Sequence, residues 1–99
     1  MNIIMNKNIQ YERTARCLRA MAHPTRLLIL ELLSGSERSV GDLEKLLGVS
    51  QSNLSQHLNL MKDKDLLTSR RVGNQVYYRL QDNRLMGLMA LMQDLFIKI

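Results

Sequence analysis

The segment from Ser39 to Met61, SVGDLEKLLGVSQSNLSQHLNLM, constrains the fold more than any other part of the chain. Ser39 is placed to cap a helix, because its hydroxyl can accept a hydrogen bond from an otherwise unpaired backbone N–H. Gly48 can end that helix in a left-handed conformation, and Ser50 can cap the next one. The segment therefore predicts two helices joined by a tight turn, which is a helix-turn-helix.

The second helix of this segment has two different faces. At about 100° per residue, Leu54, Leu58 and Met61 fall on one side of it. The other side carries short polar residues, namely Ser52, Ser55, Gln56 and Asn59. Their side chains both donate and accept hydrogen bonds, which suits base edges and phosphates in a major groove. The pattern predicts a helix that reads DNA.

After this motif, the residue pattern changes from the period of a helix to that of β-strands. Val72-Gly73-Asn74-Gln75 predicts a two-residue turn between the strands LTSRRV and QVYYRL. This register places Leu67 opposite Leu80, and it places Arg70 opposite Tyr77 at a distance suited to a cation–π contact. A hairpin directly after a helix-turn-helix is a wing.

The remaining segments predict three more helices. One runs from about Ile9 to Ala22, and the next begins at Pro24, which suits a first helical turn. The last segment, NRLMGLMALMQDLFIKI, is apolar around most of its circumference, so we expect a second subunit to cover it. The order ααααββα predicts a mainly α fold with a small β-hairpin, a winged helix-turn-helix.

Composition narrows the function further. A chain of 99 residues is expected to form one domain over residues 1–99, and its formal charge of +5 fits a polyanionic partner. One cysteine points to a reducing compartment, and the sequence has neither a signal peptide nor an apolar run of about 18–20 residues. We therefore expect a cytoplasmic protein without a membrane partner. No nucleophile–base pair, glycine-rich phosphate loop or carboxylate cluster is apparent, so we expect no enzyme and no cofactor.

The chain resembles the ArsR/SmtB family of bacterial transcriptional regulators from about residue 10 to residue 96. The resemblance is carried by LRAMAHPTRLLILELL, SVGDLEKLLGVSQSNLSQHLNLMKDKDLL and SRRVGNQVYYRL. It implies a homodimer, paired through its first and last helices, that binds an inverted-repeat operator in double-stranded DNA. Most members of the family repress transcription until an effector releases them.

The resemblance and the helical pattern together predict the site residues. Those expected to contact DNA are Gln51, Ser52, Ser55, Gln56, His57 and Asn59 in the reading helix, with Arg70, Arg71 and Asn74 in the wing. Those expected at the dimer interface are Tyr11, Leu18, Leu85, Leu88, Met89, Leu91, Met92 and Leu95. For His57 a structural role, with hydrogen bonds to nearby backbone, is the competing interpretation.

The inducer sites known in the family lack their ligands in this chain. Thiolate-sensing members carry two cysteines where Ser39 and Gly41 stand, and the last helix contains no His for a metal pair. The redox-responsive branch has a cysteine where Glu31 stands and another in the last helix, which has none here. We expect no metal site. Cys17 is either an inert small apolar residue or a redox-active thiol.

Two functional alternatives remain beside a repressor. One is a metal-independent anti-silencer or activator, which displaces another protein from DNA. The other is a protein-interaction module, a winged helix whose apolar last helix binds a different partner.

Overall fold

The computed structural model describes residues 10–97. Its elements are α1 Tyr11–Met21, α2 Pro24–Leu32, β1 Arg38–Ser39, α3 Val40–Leu47, α4 Gln51–Asp63, β2 Leu67–Val72, β3 Gln75–Leu80 and α5 Leu85–Phe96. The three strands form one antiparallel sheet in the order β1-β3-β2. Within the described residues, every helix is too short or too polar to cross a membrane.

The predicted helix-turn-helix is confirmed at its helix ends. Ser39 Oγ accepts the backbone N–H of Asp42 at 3.1 Å, and Ser50 Oγ accepts that of Asn53 at 3.2 Å. Gly48 ends α3 with a φ of +65°, in the left-handed region where a residue with a Cβ atom is strained. The two serine hydroxyls thus satisfy backbone N–H groups that have no partner inside the helices.

The core lies beneath α4 and the sheet. Leu54, Leu58 and Met61 are fully buried, so the predicted apolar side of α4 is confirmed. They pack with buried residues of α1, α2, α3, β2 and β3 and of the adjoining turns, among them Ile29, Leu30, Leu33, Leu43, Leu67 and Tyr78. This packing leaves the opposite side of α4 to solvent.

The wing has the predicted register together with a strand that was not predicted. Leu67 pairs with Leu80 and Arg70 pairs with Tyr77, as expected. The extra strand, β1, consists of Arg38 and Ser39 and pairs with β3. The order of elements is therefore ααβααββα rather than ααααββα. Two residues are too few for an alternating pattern, so β1 exists only through its pairing with a distant strand.

The boundary between α1 and α2 follows the predicted chemistry. Pro24 is the first residue of α2, and Nδ1 of His23 accepts the N–H of Thr25 at 3.1 Å. The first helix is shorter than predicted. It spans Tyr11–Met21, and Ile9 lies outside the described residues.

The first and last helices expose their apolar sides. In α1 the buried residues are Ala20 and Met21, whereas Tyr11 and Leu18 of the predicted stripe are about half exposed, at 49% and 51%. In α5 no residue is buried. The last helix begins at Leu85, later than the segment from residue 83 predicted, and residues 98–99 lie outside the described part.

Candidate DNA interface

The outward side of α4 is polar and uncharged. Gln51, Ser52, Gln56 and Asn59 are exposed, and Ser55 is half-buried. The first charged side chain of the helix is Lys62 and the first carboxylate is Asp63, both in its last turn. A surface of amide and hydroxyl groups without a carboxylate can approach a polyanion and still present donors and acceptors to base edges.

His57 lies on the flank of α4 that faces α2. Its ring centroid is 4.7 Å from that of His23, and its Nδ1 is 3.5 Å from Nη1 of Arg26. Burial, together with the charges of His23 and Arg26, lowers the pKa of His57 below its ordinary value. Its neighbours are therefore side chains of α2 rather than the nearby backbone that the structural interpretation assumed. A contact between His57 and DNA stays a prediction.

The two arginines of β2 differ in their partners. Arg70 forms a two-pronged ion pair with Glu37, with Nη2–Oε1 and Nε–Oε2 distances of 2.6 and 2.8 Å. Its guanidinium carbon also lies 5.4 Å from the ring centroid of Tyr77, which confirms the predicted cation–π contact. Arg71 is exposed and makes no ion pair with any described residue. Of these two, Arg71 alone has a guanidinium without a carboxylate partner among the described residues.

The turn of the wing presents the amide of Asn74 to solvent. Gly73 beside it has a φ of +60°, as a tight hairpin turn requires.

At the base of the wing, the hydrogen bond from Arg70 lowers the pKa of Glu37. The carboxylate therefore stays ionised at neutral pH and keeps Arg70 in place.

A hydrogen bond ties the reading helix to the wing. Nζ of Lys62, in the last turn of α4, donates to Oγ of Ser69 in β2 at 2.7 Å. Leu66, between the two elements, and Leu67, the first residue of β2, are both buried. The outer side of α4 and the wing are thus held as neighbouring parts of one surface.

The residues predicted for the dimer interface form an exposed apolar surface. Tyr11, Leu18, Leu88, Leu91, Met92 and Leu95 are exposed, and Leu85 and Met89 are half-buried against the core. Leu95 and Leu91 expose 55% and 52% of their area. An apolar surface of this extent marks an interaction site in a small protein.

Cys17 packs toward its own chain rather than toward that apolar surface. Its half-buried thiol donates to the carbonyl oxygen of Lys64 at 3.7 Å. Across residues 10–97, no three side chains of the metal-binding kinds lie close enough together to hold an ion. A redox role for Cys17 stays a prediction.

Two contributors to this region were not singled out from the sequence. Glu37 holds Arg70, and Arg26 contacts His57, each across more than 30 positions of the chain. Neither contact has a local signature, because a charged residue in a turn or helix is typical of any solvated surface. The pairing of β1 with β3 brings Glu37 to the wing, and this pairing had no sequence signal.

Comparison with known proteins gives the same family that the sequence resembles. A sequence profile described as "Bacterial regulatory protein, arsR family" matches residues 23–69. The chain is 38% identical over 86 residues to the HTH-type transcriptional regulator YgaV of Escherichia coli K12. The alignment covers 86% of this chain and 87% of that protein.

Two solved structures have the same fold. The transcriptional repressor BigR of Xylella fastidiosa aligns with a TM-score of 0.78 and 30% identity, over 96% of this chain and all of that one. The homodimeric winged helix-turn-helix DNA-binding domain Mb0332 of Mycobacterium bovis aligns with a TM-score of 0.78 and 32% identity, over 85% of this chain and 81% of that one. The predicted winged helix-turn-helix fold is thereby confirmed. The chain therefore belongs to the arsR family of bacterial regulatory proteins and is a DNA-binding transcriptional regulator, not an enzyme.

Proposed function

We propose that this protein is a homodimeric repressor that binds an inverted-repeat operator. The observation that carries the proposal is the uncharged polar side of α4, which lies beside the wing and is exposed while the opposite side is buried. The repressor and homodimer named among its structural relatives support the same function. The whole chain, residues 1–99, would form one domain for DNA binding and dimerisation, and it would act in the bacterial cytoplasm, where its operator lies.

We assign the DNA contacts to two groups of residues. Gln51, Ser52, Ser55, Gln56 and Asn59 of α4 would enter the major groove and contact base edges and adjacent phosphates. Arg71 and Asn74 of the wing would contact the sugar-phosphate backbone or the minor groove. Arg70, which is paired with Glu37, would hold the wing in position and contribute less to phosphate binding.

We assign the dimer interface to the exposed apolar sides of α1 and α5. A twofold axis through these helices would place two copies of α4 on one side of the dimer. Successive major grooves on that side of a duplex are about 34–36 Å apart, so the half-sites should be separated by about one helical turn.

The test combines molar mass with footprinting. Gel filtration with light scattering should give the mass of two chains, and operator fragments selected from genomic DNA should show two symmetric protected half-sites. A monomeric chain would instead favour a winged helix that binds a different protein partner. A single asymmetric half-site would contradict the proposal. A reporter in a deletion strain then separates a repressor, whose loss raises expression, from an anti-silencer, whose loss lowers it.

A further inference from the structure

Two imidazoles and a guanidinium meet between α2 and α4. The rings of His23 and His57 have centroids 4.7 Å apart and are tilted by 49°. Nη1 of Arg26 lies 3.5 Å from Nδ1 of His57. Nε of Arg26 is buried and has no hydrogen-bond partner among the described residues. Three groups that can carry positive charge therefore share one partly buried place, which we term the His–Arg cluster (His23, Arg26 and His57).

The hydrogen bonds of the cluster require both imidazoles to be neutral. A guanidinium can only donate, so Nδ1 of His57 must be the acceptor in its contact with Arg26. Nδ1 of His23 likewise accepts the backbone N–H of Thr25 and so caps α2. In each ring the proton must then be on Nε2. A protonated imidazole has no lone pair left, so protonation of either ring breaks its hydrogen bond.

Among the described residues, no carboxylate forms an ion pair or a hydrogen bond with the cluster. Burial lowers the pKa of His57, together with the charges of His23, which caps α2, and of Arg26 in α2. Toward the C-terminal end of α4, Arg13 of α1 pairs with Asp65, and Lys62 bonds to Ser69 of β2. The charged residues of α3, which pack near α4 without a hydrogen bond or ion pair to the cluster, are Asp42, Glu44 and Lys45.

We propose that the His–Arg cluster is a proton-sensitive contact that positions the reading helix, so that protonation of its imidazoles weakens DNA binding. The inference rests on the proposed role of α4 as the DNA reader. His57 sits between Gln56, on the outer side of α4, and Leu58, in the core. A cationic ring at this position would be repelled by Arg26 and would have to move away from α2. Because the adjacent Leu58 is fully buried and anchors α4 in the core, that movement would change the presentation of Gln56.

The direction of the pH dependence follows from the lowered pKa of His57. In the arrangement that binds DNA, the His57 ring is neutral. This arrangement disfavours the protonated ring compared with an imidazole in water, which has a pKa of about 6.5. The affinity for DNA is therefore fully present at a pH above the ordinary pKa of histidine. It is lost as the pH falls through that pKa toward the lowered pKa of His57.

The chain offers a clean test because it contains two histidines, both in the cluster. The variant His23→Asn/His57→Asn has no imidazole, and each Asn Oδ1 can accept a hydrogen bond near the position of Nδ1. Asn is also among the best N-cap residues. Operator affinity would be measured at pH 7.5 and at about pH 5.5 at constant ionic strength. For each protein, the dissociation constant at the lower pH is divided by the dissociation constant at pH 7.5, and these ratios are compared.

We expect the ratio for the wild-type protein to exceed that of the double variant severalfold, and one linked proton limits the difference to about tenfold per pH unit. Equal ratios, or a larger loss in the variant, would overturn the inference. Specific binding by the wild-type protein at pH 7.5 is a separate result, and its failure would count against the proposed function instead.

A second measurement does not depend on how well the variant folds. The ring-proton NMR signals of the two histidines give their pKa values in the free protein and in the operator complex. By reciprocity, a bound state that favours neutral rings must lower the pKa of His57 further. A raised pKa in the complex would mean that the cluster faces a phosphate, and it would overturn the inference. Backbone amide signals of α4 that fail to shift with the His57 titration would also overturn it.

Discussion

Side chains on the outer face of α4 and in the wing are chemically suited to different parts of a duplex. Amides and hydroxyls such as those of Gln56 and Ser52 form directional hydrogen bonds, so their energy depends on which base edge they meet. A guanidinium such as that of Arg71 interacts with phosphate charge, which is the same for every sequence. Sequence specificity and general affinity should therefore be separable by single substitutions.

Gln56→Ala should weaken binding to the operator by roughly 1–3 kcal/mol and leave binding to unrelated duplexes nearly unchanged, because a base-edge contact is lost. Competition between operator and random DNA at fixed salt measures both quantities. Gln81→Ala, the same change at an exposed position after β3, is the matched control and should behave like the wild-type protein. An equal loss on both kinds of DNA would contradict the assignment of Gln56 as a base reader.

Arg71→Ala should weaken binding to all duplexes alike and reduce the slope of log affinity against log salt by about 0.9, the value for one phosphate contact. Arg70→Ala should change this slope less, because the Arg70 guanidinium is paired with Glu37. Titrations at several salt concentrations give both slopes. Equal reductions in the two variants would show that Arg70 leaves Glu37 to bind phosphate.

Helices and strands differed in how far the sequence predicted them. The ends of α3 and α4 were predictable because Ser39, Gly48 and Ser50 act on backbone groups within a few residues. The hairpin was predictable because the Gly73-Asn74 turn fixes its register. β1, and with it the contact of Glu37 with Arg70, was not, because both depend on pairing between distant segments. The same holds for the contact of His57 with α2.

Gly48→Ala should lower the free energy of unfolding by about 1–2 kcal/mol, because an Ala side chain is strained at a φ of +65°. Open space surrounds the new Cβ atom, so the cost is conformational and not steric. Gly41→Ala is the control, since Gly41 lies inside α3 and its Cβ would make an ordinary 3.8 Å contact with Ser39 Oγ. It should be neutral or stabilise by up to about 1 kcal/mol. Urea unfolding measures both, and equal effects would contradict the role of Gly48.

At the scale of the whole molecule, residues 10–97 of one chain leave the apolar sides of α1 and α5 uncovered. The core is built by the elements from α1 to β3, and α5 contributes no buried residue to it. Leu91, Met92 and Leu95 would stay in water unless another surface covered them. Burying apolar area contributes roughly 25 cal/mol per Å², so this surface favours association.

Leu88→Arg and Leu91→Arg should each dissociate the dimer, since an unpaired charge in an apolar interface costs several kcal/mol, or more than about a hundredfold in the dissociation constant. Operator binding should fall with it, because a monomer reaches one half-site. Leu46→Arg, at an exposed leucine of α3, is the control for oligomeric state and should leave the mass unchanged. Light scattering decides between these outcomes, and a dimeric Leu88→Arg or Leu91→Arg protein would place the interface elsewhere.

Ser39 belongs to two elements at once, and this determines where the chain can be lengthened. It is the last residue of β1, paired with Tyr77, and its hydroxyl caps α3 through Asp42. One residue inserted after Ser39 would separate the strand from the cap, so one of the two would be lost. The exposed Gly73-Asn74 turn has no such double role and should accept added residues. A peptide tag inserted at the wing tip should therefore leave the fold intact while disturbing the DNA contact assigned to Asn74, whereas a tag inserted after Ser39 should disrupt the start of the helix-turn-helix.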